Sequence, residues 1–392
     1  MNERILVVGA SIAGLATAHW LTRYGFDVTV AEHAPAPRPG GNGVDVRGQA
    51  TEVVERMGLL EEVRDAAADV QAIRFVNAAG RTTARIPVDE PRATEIMRGD
   101  LVALLHDGAG ADFRFGDRVR GLRQDAGGVA VDFDLAPSER FDLVVGADGM
   151  HSTVRRLACG PEEQFVRFKG HHFAFADADA TLGADRAVTM YNAPGKMAGL
   201  YRSGNHAQAK AYFIFRSEPL GHDHRDTEQH RCLLREAFAD EAGWRVPQLL
   251  ETALADPELY FDALAQVQMD SWSNGRVVLV GDAAWCASPA SGSGAELALV
   301  GAYRLAGELA RAAGDHPTAF ARYEAGHRGL VRSKQQIGPN VRLMVPRTDS
   351  GRNLRNVLAR LPVLGPLGAF ERLLQGTTRP LPTYAPVGRE RP

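Results

Sequence analysis

The sequence predicts an α/β protein in which a parallel sheet is assembled from separated segments. A mainly antiparallel sheet is inserted between those segments, and helices close the chain. Three observations carry this. First, apolar runs lead into glycine turns near the start (Ile5–Val8, then Gly9), in the middle (Asp142–Gly146) and three-quarters along (Arg276–Val280, then Gly281). Such unbroken runs mark strands buried on both faces. Second, residues 166–269 turn to short alternating segments such as Arg186–Tyr191 and Gln208–Phe215, the period of half-buried strands. Third, helical spacing takes over from Gly294 to Ala312 and from Thr318 to Gln335.

In chain order, strand Ile5–Val8 passes through Gly9-Ala10-Ser11-Ile12-Ala13-Gly14 into a helix whose apolar residues run from Ile12 to Leu21. Gly25 stops that helix, and Val28, Val30 and Ala31 form a second strand ending at Glu32. This is a complete βαβ unit with an acid about twenty residues beyond the glycines, the Rossmann-like pattern for a dinucleotide. Gly9 permits the sharp exit from the strand and Gly14 lets helix and strand pack closely. The helix N-terminus offers N–H groups and a positive dipole end to a pyrophosphate. Glu32 suits both hydroxyls of an adenosine ribose. Ser11 stands where the fingerprint has its middle glycine; it narrows the backbone approach but brings a hydroxyl that can donate to phosphate.

The stretch Pro35–Gly43 is too rich in Pro and Gly for regular structure. Thr51–Met57 reads as a helix ending at Gly58, with another short helix after it. Ala72–Asn77 and Arg81–Ile86 form a hairpin across Ala79-Gly80, and Arg98–His106 has helical spacing. Arg118–Asp134 is a second hairpin turning at Gly127-Gly128. Helices are expected near Arg231–Ala239 and Pro247–Ala255, and a Pro-rich, partly ordered tail starts at Arg379.

At 392 residues the chain suggests two or three folding units, and its 45% hydrophobic and 24% charged residues are an ordinary globular balance. A net charge of -3 leaves no basic excess for a nucleic-acid partner. Cys159, Cys232 and Cys286 suit neither a disulfide framework nor a zinc site, and the histidines at 171, 172, 222 and 224 lack metal-ligand spacing; no metal is expected. The best membrane-span candidate, Leu297–Ala310, is interrupted by Arg304 and Glu308. With its first strand so near the start, the chain is expected to be cytoplasmic, a monomer or a homodimer.

Two further motifs complete the pattern. Gly281-Asp282-Ala283-Ala284 ends the last buried strand and leads through Ser288-Pro289-Ala290-Ser291-Gly292-Ser293-Gly294 into a helix. An aspartate there points out of the sheet's carboxyl edge, where α/β folds bind ligands, unless it only caps the turn. The loop's amides form a nest for a negatively charged ring edge. Together with Gly9–Glu32 and Gly146-Ala147-Asp148-Gly149-Met150-His151-Ser152-Thr153-Val154-Arg155, these motifs resemble the FAD-dependent aromatic hydroxylases of the para-hydroxybenzoate hydroxylase fold. The wording is most similar to tetracycline-degrading and polyketide-tailoring members.

The resemblance implies a discontinuous FAD-binding domain (1–70, 98–158 and 270–335), an inserted substrate-binding domain (71–97 and 159–269) and C-terminal helices with a tail (336–392). It implies that Gly9, Ser11, Ile12, Ala13 and Gly14 hold the FAD pyrophosphate, Glu32 and His33 the ribose end, and Arg98 the phosphate and ribityl region. Asp148 and Gly149 match the motif that handles FAD and NAD(P)H. Gly281 and Asp282 match the ribityl or phosphate site, and Pro289, Gly292, Ser293, Gly294 and Ala295 the loop beside the isoalloxazine. Gly43 and Arg47 fall in a loop near the flavin. Three departures stand out: Ser11, His33 in place of a basic residue that often follows the acid, and Ala295-Glu296 in place of the frequent Met-Asn pair.

The implied reaction uses NAD(P)H to reduce FAD, which with O₂ forms a C4a-hydroperoxide that hydroxylates an electron-rich, small-molecule aromatic substrate. The cofactor carries that chemistry while the protein orients it. An oxidase or dehydrogenase on the same fold, or a non-catalytic ligand-sequestering protein, are the alternatives. Met190, Tyr191, Tyr212, Phe213 and Phe215 either line the substrate surface or form sheet core; no catalytic base is nominated.

Overall fold

The computed structural model describes residues 3–37, 40–88, 93–221, 223–336, 341, 344–360 and 380–384. Its central sheet has six strands in the order β17 (Ser273–Asn274), β18 (Val277–Leu279), β11 (Leu143–Gly146), β1 (Arg4–Val8), β2 (Asp27–Glu32) and β7 (Asp112–Phe115). All neighbours are parallel except the β17–β18 pair. Ile5, Leu6, Val7, Val144 and Val145 are inaccessible to solvent, the burial that their unbroken apolar runs predict. Helix α1 (Ile12–Arg23) links β1 to β2 and packs against α9 (Gly294–Ala312), which packs in turn on α10 (His316–Gln335). Helices α2 (Gln49–Met57), α3 (Leu60–Asp65), α4 (Arg98–Asp107), α5 (Thr153–Ala158) and α8 (Asp282–Trp285) complete this half.

The second sheet has seven strands: β16 (Tyr260–Val267), β12 (Val166–Ala178), β15 (Ala209–Arg216), β14 (Lys196–Arg202), β13 (Ala187–Ala193), β4 (Ala72–Val76) and β5 (Thr82–Pro87). It is antiparallel throughout except at β13–β4. Alternation gives it two faces. One packs on α6 (Thr227–Phe238) and α7 (Val246–Ala255), burying Phe213, Phe215 and Leu200 with Leu234, Phe238 and Leu249. The other carries Tyr212, Ile214 and Met190 and is only half covered.

Both expected hairpins form. The first is β4–β5; the second is β8 (Val119–Asp125) with β9 (Gly128–Phe133), extended by β10 (Glu139–Phe141). One expectation is corrected: Gly43–Arg47 is not loop but strand β3, paired antiparallel with β6 (Ala93–Met97). The alternation that buries Val46 was masked by the glycine-rich stretch before it. Helix α11 (Asp349–Arg360) lies against β5. Of the expected tail, Arg379 and residues 385–392 lie outside the described residues, as does His222. Residues 380–384 dock on α9, where Tyr384 donates to Glu308 at 2.8 Å.

A buried histidine ties the GDAA turn to the C-terminal helices. Gly301 leaves room on α9 for Trp285, whose ring lies 4.8 Å from that of His327 on α10. His327 is fully buried, and that burial, with the Arg304 charge, holds its pKa down at about 3. The unfolded chain takes up this proton near pH 6.5 and the native chain does not. Stability is therefore full above about pH 6.5 and falls progressively toward pH 3, by a few kcal/mol. Denaturant titrations should show this slope, and His327→Leu should flatten it.

Candidate active site

Four neighbouring parallel strands present their carboxyl ends on one edge: β2 ends at Glu32, β1 exits at Gly9, β11 leads to Asp148 and β18 to Asp282. At roughly 4.8 Å per strand they span roughly 15 Å, so residues 32, 148 and 282 stand along one edge of the sheet. The turns are in mutual contact. Gly9 has φ +107°, and a Cβ there would lie 2.6 Å from Ala147 O. A Cβ on Gly14 would lie 1.8 Å from Gly9 O, and one on Gly281 2.6 Å from Ala13 Cβ. These are cradles that only glycine leaves open.

Ser11 is the N-cap of α1 but makes no side-chain cap bond. The first-turn N–H groups, including those of Ile12 and Ala13, therefore receive no bond from the N-cap side chain, as an anion site requires. Instead the Ser11 hydroxyl accepts from Arg98 Nη2 at 2.9 Å. Arg98 begins α4, its N–H donates to Asn42 O at 2.9 Å, and its side chain packs on Gly41. The serine that departs from the fingerprint thus holds the arginine. Ser11→Gly, which restores the family residue, should weaken FAD binding about tenfold, the effect of a charge-assisted bond. Ser11→Ala should match it; tighter binding by the glycine variant in a fluorescence titration would refute this role.

Glu32 accepts from Ala10 N–H and Ala34 N–H, each at 2.8 Å, and pairs with His33 Nδ1 at 2.8 Å. Burial pushes its pKa up, but His33 and the two amides outweigh it and hold the carboxyl at about 2. It is an anionic acceptor at any physiological pH, with lone pairs left for ribose hydroxyls. Asp282 is solvent-accessible at the end of β18 yet closely surrounded. The surrounding protein raises its pKa, while the Cys286 thiol and the Arg98 charge pull it down.

Asp148 faces inward. Its carboxylate accepts from the Ser152 hydroxyl and, at 3.0 Å, from Val154 N–H, closing the start of α5, so its side chain serves the turn, while Gly149 (φ +82°) has open space beside its Cα. Two residues of this motif to which sequence reasoning assigned no role prove structural. Arg155 is fully buried and donates to Ala283 O at 2.9 Å, to Met150 O and to Glu162 at 3.3 Å, tying the β11 turn to the β18 turn. His151 sits between Glu162 (2.9 Å) and Asp262 (3.2 Å) and stacks on His224 with centroids 4.2 Å apart. Burial lowers its pKa, but the two carboxylates win and raise it to about 9. An arginine in the first turn of the helix that follows a buried strand was the available signal for the first; nothing in the sequence pairs His151 with Asp262.

The loop before α9 makes one 3₁₀ turn at Pro289–Ser291 and reverses at Gly292 (φ +57°). Arg47 reaches it from β3, donating to Gly292 O at 3.1 Å and Ser293 Oγ at 3.2 Å. Behind the loop, buried Glu296 lies 3.8 Å from Arg47 and 2.8 Å from Lys334. The Ala295-Glu296 departure therefore replaces a family pair with an anchor for Arg47. Gly294 and Ala295 open α9, whose N-cap Ser293 makes no side-chain cap bond either.

The five aromatic and methionine candidates divide by face. Tyr191, Phe213 and Phe215 are buried in the core under α6 and α7, so of the two readings the sequence left open they take sheet core and not substrate surface. The period-two alternation named the right strands without saying which face was covered. Met190 and Tyr212 lie on the open face, in one cross-strand row with Phe175 and Tyr260. Two hollows of about 310 and 340 Å³ lie elsewhere, one along β4–β5 near Arg74 and Arg186, the other between β16 and α10. The first lies away from the strand ends, and the second is lined in part by Ala284 and Trp285, just beyond the turn that follows β18. Among the described residues no His/Cys/Asp/Glu group could hold a metal, and no helix is long and apolar enough to cross a membrane.

Comparison with known proteins identifies the family. The FAD binding domain family model matches residues 3–328. A protein of Mycobacterium tuberculosis described as uncharacterized is 42% identical over 344 residues, covering 86% of this chain and 92% of its own. A flavin-dependent monooxygenase of Legionella longbeachae is 36% identical over 343 residues, covering 86% and 88%. The crystal structure of the tetracycline destructase Tet(51) superposes with a TM-score of 0.85 at 32% identity, covering 98% of this chain and 100% of that one. With its three motifs gathered at one sheet edge, the chain belongs to the FAD-dependent monooxygenases of the aromatic hydroxylase family.

Proposed function

We propose that this monooxygenase uses NAD(P)H and O₂ to hydroxylate a polycyclic aromatic or related secondary metabolite bearing a phenolic or enolic hydroxyl. The residues suit FAD: the uncapped α1 N-terminus and Arg98 would take the pyrophosphate, Glu32 the adenosine ribose, and Asp282 the ribityl region. FAD supplies the oxygen-activating chemistry when bound; Arg47, Glu296 and the Pro289–Gly294 loop orient its ring and exclude water. The substrate would lie between that loop and the open face of the seven-stranded sheet.

The observation that carries this reading is the row of rings on that face. Tyr260 stacks on Phe175 at 4.7 Å and 19°, and Phe175 lies 6.3 Å from Tyr212. Such a row suits a planar, multi-ring ligand. Loading the protein with FAD and screening aromatic polyketides, tetracycline among them, for stimulated NAD(P)H oxidation tests it. Labelled O₂ should appear in the product. Oxidation without incorporated oxygen would instead indicate a dehydrogenase or oxidase, and a protein that stays colourless with FAD would end the reading.

A further inference from the structure

We propose that Glu95 is the proton acceptor for a hydroxyl of the aromatic substrate, sharing its proton with Asp45 across the β3–β6 ribbon. This rests on the hydroxylase reading above. Asp45 and Glu95 stand directly opposite each other in the antiparallel pair. Like charges so placed repel, an arrangement that favours one proton shared between the two carboxyls. The Glu95 carboxyl packs on Gly43, where a Cβ would lie 2.2 Å from Oε1, so it is held close to the strand.

Its outer neighbours lie on the open face of the seven-stranded sheet. Tyr201 is only 5% exposed and its hydroxyl has no hydrogen bond of ordinary geometry, yet it faces the Glu95 carboxyl. Its ring lies 6.5 Å from that of Tyr212 in the aromatic row. On the other side, a Cβ on Gly292 would lie 3.9 Å from Asp45 Oδ2, and Arg47, 3.6 Å from Asp45, bonds the same loop. The carboxyl pair is therefore flanked by the loop on one side and the substrate face on the other. The titratable groups that act on Glu95 are Asp45 from β3, itself 3.6 Å from Arg47, Tyr201 from β14 and Tyr212 from β15. Burial and then the Asp45 charge push Glu95 up to about 7, against the Tyr201 hydroxyl, which lowers it. A base titrating there is matched to a phenol at neutral pH. In the step, the ring O–H bond breaks, its proton goes to a Glu95 oxygen, and the electron pair stays on the ring oxygen, enriching the ring for hydroxylation.

The test uses FAD-loaded wild type, Glu95→Gln, Asp45→Asn and Tyr201→Phe. Infrared titration should show a protonated carboxyl in the neutral range that Glu95→Gln removes and Asp45→Asn shifts to lower pH. With the phenol that best stimulates NAD(P)H oxidation, Glu95→Gln should lose the neutral limb of the kcat/KM profile and about 100-fold in its plateau. With a nitro-substituted phenol, already ionised at the assay pH, the ratio of wild-type to Glu95→Gln activity should fall close to one. The slower hydroxylation of an electron-poor ring affects both proteins alike, and a merely structural role would leave the ratio unchanged. An unchanged pH limb in Glu95→Gln, no rescue by the acidic phenol, or a carboxyl band that survives Glu95→Gln overturns the assignment. If no phenol is accepted, the hydroxylase reading falls and the base with it, while the infrared result separately shows whether the pair shares a proton.

Discussion

Replacing Gly14 by alanine is expected to cost the protein its flavin. The new Cβ would stand 1.8 Å from Gly9 O, a backbone atom of the neighbouring turn that cannot swing aside. Helix α1 must then move off β1. Overpacking of this kind costs about 1–3 kcal/mol, and the strain falls on the turn that presents the N–H groups of Ile12 and Ala13. FAD affinity should drop at least about tenfold to a hundredfold, the equivalent of that strain. Gly149→Ala is the matched comparison. Its φ of +82° strains an alanine, but no atom lies within 4 Å of the added carbon. A left-handed alanine costs about 1–2 kcal/mol without displacing a neighbour, so FAD binding should weaken less. Fluorescence titrations of both variants, with circular dichroism to confirm folding, distinguish a cradle at Gly14 from general fragility. Equal affinities for wild type and Gly14→Ala would refute the cradle.

Arg155→Met should produce the largest loss of stability. The guanidinium is buried and serves two turn carbonyls, Ala283 O and Met150 O, together with Glu162. Methionine fills much of the volume but leaves both carbonyls unpaired and Glu162 without this cation. Removing one partner from a buried charged network costs about 3–5 kcal/mol. Because the carbonyls belong to the β11 and β18 turns, the loss should appear twice. The urea midpoint should fall in the apoprotein, and FAD should further raise the midpoint of wild type more than that of the variant. An unchanged apoprotein midpoint would mean that Arg155 does not lock the turns. Lysine should rescue poorly, since a point charge cannot serve three acceptors in the fork geometry of arginine.

Much of the parallel sheet was legible because local pattern and tertiary environment agree there. Apolar runs at Ile5–Val8 and Asp142–Gly146 can only be strands covered on both sides, and their glycine exits follow from steric limits on φ. Gly43–Arg47 was read as loop because its partner, β6, lies about fifty residues away (Arg47 pairs with Ala93, Gly43 with Met97). No local signal announces a ribbon whose two strands are that far apart. The same limit explains Tyr191, Phe213 and Phe215: period two fixes which residues share a face, but only the docking of α6 and α7 decides which face is core.

By itself the sequence determined the βαβ unit, the three cofactor motifs and their order, since each is a short stretch whose glycines and acids have direct steric and electrostatic meaning. Only the tertiary structure decided that Ser11 holds Arg98, that Arg155 joins two turns, that Glu296 anchors Arg47, and that Asp45 meets Glu95. Each of these is a contact between segments tens to hundreds of residues apart. Charges and hydroxyls reveal their partners through distance in space, which no spacing along the chain encodes.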